Sequence, residues 1–207
     1  MIAPFEDRPV TKWWFITLLT VFLISCSSKI EPESFPPLNF SKSDSLTGVS
    51  YSFPDQNIKL NVPKGFMQIS NADYEIFNST VAHDTSLYLG TEPLLAGSTT
   101  DNLFLVVSAV STGAEGLDVF DDNYAIYLGG KYPTSEINRS QFSINGIPTV
   151  QYLISDPTTV AIKLYCLLDT KCTQIDYLLP RDRYSSLAQT IEASIGSITH
   201  KDEEGTR

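Results

Sequence analysis

Ile58, Leu60 and Val62 alternate with Lys59 and Asn61, and a two-residue apolar period marks a strand with one face buried. The turn Pro63-Lys64-Gly65 follows, and residues 66–70 predict a returning strand. Residues 87–89 and 103–110 predict two more; the second is apolar on both faces, as a central strand is. Between 136 and 179 the pattern gives four strands, 136–144, 149–154, 160–168 and 172–179. They are separated by Asn145-Gly146, Asp156-Pro157 and Asp169-Thr170-Lys171. Asn-Gly is the strongest short hairpin signal. Turns this short force antiparallel neighbours, because a parallel connection needs a long crossover.

Two stretches switch to a helical period. After Gly116, apolar residues fall at Leu117, Phe120, Tyr124, Tyr127 and Leu128, until Gly129-Gly130. Near the C-terminus Tyr184, Leu187, Ala188, Ile191 and Ile195 trace one face, with Asp182 placed to cap the start and Gly196 to close the end. The pattern predicts one α+β domain over residues 51–198, an antiparallel sheet with helices on one face, large enough for its own core. Residues 199–207, with Asp202-Glu203-Glu204, read as a polar tail.

The N-terminal region reads differently. Residues 13–24 form an apolar run that a helix would stretch to about 18 Å, short of the roughly 20 apolar residues a membrane span needs. It ends in Leu23-Ile24-Ser25-Cys26. This resembles the bacterial lipobox: an aliphatic residue, a small residue, then the cysteine whose thiol receives a diacylglycerol. The resemblance implies a signal peptide over 1–25, lipidation at Cys26 and attachment to a membrane through that anchor. Acidic Glu6 and Asp7 in the leading segment depart from the usual pattern. Ser27, rather than Asp, after the cysteine favours the outer membrane of the cell envelope, with the domain facing the periplasm or exposed at the surface. Residues 26–50 are rich in Ser and Pro and poor in aliphatics, too little apolar area to offset ordering entropy. They read as a flexible tether with a mean reach of about 27 Å.

Composition narrows the partners. The formal charge of −10 and a pI near 4.5 argue against nucleic acid and against charge-driven binding to an anionic lipid surface. Both tryptophans, Trp13 and Trp14, lie in the signal segment, so the domain builds its aromatic core from Phe and Tyr. The stretch from Ile58 to Phe66, the Asn145-Gly146-Ile147-Pro148 turn, the Tyr-rich hairpins and the closing run from Tyr184 to Ile198 resemble PsbP-like domains. The likeness spans most of 51–198. It implies a central antiparallel sheet flanked by helices and a non-catalytic, membrane-associated accessory role, and it carries over no catalytic residue.

Candidate chemistry is sparse. Cys166 and Cys172 are the two cysteines left after lipidation, and an even pair in an oxidising compartment suggests a disulfide. The apolar pattern argues the other way: Leu164 opposite Ile175 and Ile162 opposite Tyr177 put the thiols on opposite faces. His83-Asp84 is the one His–acid pair, but no Gly-x-Ser-x-Gly nucleophile elbow accompanies it. An envelope hydrolase using His83 is therefore the alternative reading. Asp118, Asp121 and Asp122 suit the first turns of a helix, where acids complement the dipole, better than a metal site. Arg181, Arg183 and Tyr184 are the candidate ligand surface. The expectation is an envelope protein that binds an unidentified protein or small ligand, without cofactor, metal or catalysis.

Overall fold

Asn145 and Gly146 adopt φ of 48° and 83°, the left-handed pair that a two-residue hairpin turn requires. That turn starts a meander of long strands in a computed structural model, which describes residues 36–41, 43–70, 73, 91–111, 122–168 and 170–201. Strand β1 spans Thr47–Phe53, β2 Ile58–Pro63, β3 Met67–Gln68, β4 Thr91–Ser98 and β5 Phe104–Val110. Helix α1 covers Asp122–Lys131. The meander is β6 (Glu136–Ile144), β7 (Ile147–Ser155), β8 (Thr159–Leu168) and β9 (Lys171–Pro180); α2 (Tyr184–Gly196) and β10 (Thr199–His200) close the described chain.

Seven strands form one sheet in the order β3-β4-β5-β9-β8-β7-β6, every neighbour antiparallel, and β1-β2-β10 form a smaller one. The register of β8 on β9 sets Leu164 opposite Ile175 and Ile162 opposite Tyr177, as the apolar pattern requires. β5, read as central, sits between β4 and β9. β4 is one strand the pattern did not give, and the strand expected at 87–89 lies outside the described residues. Pro93 lies beside a register irregularity that interrupts its ladder with β5, and Gly97 lets the Phe66 ring and the Met67 carbonyl approach where a side chain would collide. Pro and Gly both weaken a strand signal.

Because side chains alternate, the large sheet has two apolar faces. On one, Leu105, Val107, Phe142, Ile144, Ile162, Leu164, Ile175 and Leu179 pack with Leu187, Ile191 and Ile195 of α2 and with Ile58, Leu60 and Val62 of β2. On the other, Val110, Val150, Tyr152, Ile154, Tyr165 and Cys172 pack with Tyr124 and Leu128 of α1. Among the described residues each face thus carries one helix, which corrects the expectation of both on one face: β8 and β9 are apolar on both sides, so each side needs cover. Each fully buried Leu or Ile contributes about 1.5–3 kcal/mol.

The edges of the domain also differ from the expectation. The C-terminal part of the stretch read as tether is docked: Ser143 of β6 donates its N–H to the Pro36 carbonyl (2.9 Å) and accepts from Leu38 (3.0 Å). The Phe40 ring lies 5.7 Å from that of Phe142. Pro36 has no N–H, so it cannot carry the pairing further along β6. Thr199 and His200, read as the start of the tail, pair with Lys59 and Ile58. Asp182 does not cap α2. It lies in a 3-10 turn of Arg181–Arg183, and the N-cap residue Arg183 makes no side-chain cap bond. The far end of α2 is the one held by a side chain: Asn145 Nδ2 donates to the carbonyls of Gly196 (3.0 Å) and Ile198 (2.7 Å), groups that a helix end leaves without partners.

Candidate functional site

The spacing of α2 places Tyr184, Ala188, Ile191, Glu192 and Ile195 on one stripe, at offsets of about three, four and seven. This stripe meets the outer strands of the large sheet over Ser140 and Phe142 of β6, Gln151 and Leu153 of β7, and Ile162 of β8. These residues share a face because Ser140 pairs with Gln151 and Leu153 with Ile162. Residues 36–40 cross the same region as an extended strap, presenting Pro36, Leu38 and Phe40. Together they line a cleft of about 380 Å³, within the ~300–1,000 Å³ range of small-molecule sites. Its floor is apolar: Phe142, Ile162, Ile191 and Ile195 are buried. Its polar groups are few and peripheral, Ser140, Gln141, Gln151, the Tyr184 hydroxyl and Glu192.

The strap is fitted to this cleft by close approach. A Cβ on Gly196 would come within 2.7 Å of the Phe40 Cβ and within 3.5 Å of its backbone; only a glycine at the end of α2 lets the strap lie this close. Phe40 is half-buried and packs on the same apolar cluster as α2.

Of the three residues read as a ligand surface, Tyr184 alone lines the cleft. The Arg181 guanidinium is bound to the β7–β8 turn, donating to Ser155 Oγ (2.5 Å) and the Asp156 carbonyl (2.8 Å). In that turn Asp156 Oδ1 accepts from the N–H groups of Thr158 and Thr159, both at 2.7 Å, and the Thr158 N–H above all holds the carboxyl below its usual value. Arg183 points elsewhere, 3.9 Å from Asp101 across an exposed gap. The three residues therefore do not form one surface.

Cys166 and Cys172 carry free thiols. Cys166 stands opposite Thr173 and Cys172 opposite Leu167, so the two sulfurs lie on opposite faces of the sheet and the candidate disulfide does not form. Burial pushes the Cys166 thiol up to about 12, against the opposing hydroxyl of Thr149, and pushes Cys172 higher still. Neither is a nucleophile near neutral pH, where the thiolate is the reactive form. Cys26, His83, Asp84, Asp118 and Asp121 lie outside the described residues, as does the Asp122 side chain. Among the described residues no three His, Cys, Asp or Glu side chains converge to hold a metal ion, and no helix is long and apolar enough to cross a membrane.

The pattern gave no hint of a polar layer on the α1 face. Lys163 pairs with Asp176 at 3.2 Å, with Lys163 only 5% exposed, and Gln174 Nε2 donates to the same Asp176 oxygen at 2.5 Å. Beside them the Tyr124 and Tyr165 hydroxyls are 2.5 Å apart, and Tyr152 stands edge-on to both rings. Burial first, then the neighbouring Tyr124 and Asp176, raises Tyr165 well above its ordinary value. The Tyr165 phenol, held in its neutral form, ties β8 to the Tyr124 hydroxyl of α1.

No family model matches the chain, and no curated protein matches it. Several solved structures are similar. The solution structure of cyanobacterial PsbP from Synechocystis sp. PCC 6803 is 12% identical, with 75% of this chain and 93% of that chain covered and a TM-score of 0.49. LpqN of Mycobacterium tuberculosis, described as involved in cell envelope biogenesis, is 11% identical, with 69% and 82% covered and a TM-score of 0.43. A protein of Bacteroides thetaiotaomicron is 11% identical, with 78% of this chain but 51% of that one covered and a TM-score of 0.43. Likenesses at this level carry no argument about function, which rests on the geometry of the chain itself.

Proposed function

We propose that the protein is a lipid-anchored component of the cell envelope, outer membrane favoured, whose folded body is a non-catalytic binding module. The cleft between α2, β6, β7 and the strap carries this reading. An apolar floor with a sparse polar rim is the usual make-up of a small-ligand site. Burial raises the Cys166 and Cys172 thiols and the Tyr165 and Tyr177 phenols above their ordinary values, which suits a framework better than acid–base or nucleophilic chemistry. The sequence Leu23-Ile24-Ser25-Cys26 supports the anchor. Residues 27–35 would join it to the docked strap, a span of about 30 Å at full extension.

An uncharged probe, N-phenyl-1-naphthylamine, tests the binding reading on residues 27–207, which contain the compact unit Phe35–Arg207. Saturable fluorescence enhancement is expected, and it should vanish in Ala188→Trp, whose indole fills the cleft from a half-buried position. Enhancement that persists unchanged in a folded Ala188→Trp, or none in the wild type, would contradict the reading. For the anchor, Cys26→Ser should release the protein from membranes in a carbonate wash, and retention would rule the anchor out.

A further inference from the structure

The cleft has a charge pattern that names a class of ligand, an inference that rests on the binding reading above. Of the residues that line it, Glu192 is the one with a formal charge. It is exposed on α2, one helical turn beyond Ala188, and its carboxylate has no hydrogen bond or ion pair among the described residues. Below it lie Ile191 and Ile195, and across from it Phe142, Leu153 and Ile162. A carboxylate that no described residue pairs with, at the lip of an apolar floor, attracts a cation whose body can remain in the cleft. The formal charge of −10 on the whole chain works in the same direction. Gln141, Gln151 and Ser140 add neutral hydrogen-bonding groups and no cation that would receive an anionic head.

We infer that the cleft takes a small amphiphile with a cationic head group, the head held by Glu192 and the apolar body lying between α2 and the outer strands. The strap is the remaining wall, since Pro36, Leu38 and Phe40 project from an extended segment at every second position. The strap of residues 36–40 is therefore part of the site. By reciprocity, whatever displaces the strap weakens ligand binding, and a bound ligand holds the strap down.

Calorimetric titration of residues 27–207 with decyltrimethylammonium, decyl sulfate and decyl maltoside, each below its micelle concentration, tests this. The ammonium is expected to bind at least ten-fold more tightly than the sulfate, with the maltoside between. Glu192→Gln should bring the three to within about two-fold. Glu92→Gln, an exposed carboxylate on β4, should leave the ratio intact and so separates the site from the general field. Phe40→Ala should weaken all three alike. Equal affinities, a preference for sulfate, or an ammonium preference that survives Glu192→Gln would overturn the head-group assignment while leaving the binding reading standing. Absence of binding by all three would overturn both.

Discussion

Lys163 and Asp176 face each other across β8 and β9 with little contact with water. Removing one partner of such a pair leaves an uncompensated charge, whereas replacing both with apolar residues of similar size relieves the desolvation cost. Lys163→Met is therefore expected to lower the unfolding free energy by about 3–5 kcal/mol, and Lys163→Met with Asp176→Leu to recover most of it in urea titrations. A double variant no better than the single one would mean that the polar layer has another role in the core. The buried acids make a second expectation. Cys166, Cys172, Tyr165 and Tyr177 all have folded values raised above ordinary ones of 9.0 and 10.0. The folded state thus holds protons that the unfolded chain gives up first, and this stabilisation is complete below pH 9 and declines as pH climbs beyond it. Urea midpoints should stay flat from pH 7 to about 8.5 as far as these groups are concerned and fall steadily above pH 9. A midpoint unchanged at pH 10.5 would show that these groups are not buried as described.

At the scale of elements, the junction between the β6–β7 turn and the end of α2 concentrates several jobs in one residue. Asn145 takes the positive φ that the turn needs, and its side chain satisfies two carbonyls at the helix end. Asn145→Ala strains the turn and strips both bonds, and a loss of about 2–3 kcal/mol is expected by thermal or urea unfolding. A change below 0.5 kcal/mol would place it with ordinary surface substitutions. The hairpin role of Asn145 was legible in the sequence because Asn-Gly is a local signal; its grip on α2, some fifty residues away, was not. The same division holds elsewhere. The β6–β9 meander and the α2 stripe follow from short-range periodicity. Which face each helix covers could not be read, because β8 and β9 offer apolar residues on both. The strap was hidden because Leu38 and Phe40 are isolated apolar residues among serines and prolines. Only the matching surface of Phe142 and Gly196 gives them somewhere to pack.

At the scale of the molecule, the cleft draws on residues 36–40, on the neighbouring strands β6, β7 and β8, and on α2, so no local pattern marks it. Of the lining residues, Tyr184 alone was read as a ligand surface, and it was grouped with two arginines that the fold sends elsewhere. α2 and the small β1-β2-β10 sheet pack on one face of the large sheet and α1 on the other, so the cleft walls on α2, β6, β7 and β8 belong to the main apolar core. The most direct test of the central claim is a ¹H–¹⁵N NMR titration of residues 27–207 with decyltrimethylammonium. Shift changes are predicted to concentrate at 38–40, 140–142, 151–153 and 184–195, with the Tyr124–Tyr165 region silent. Changes centred on the α1 face, or none in the cleft at saturation, would contradict it.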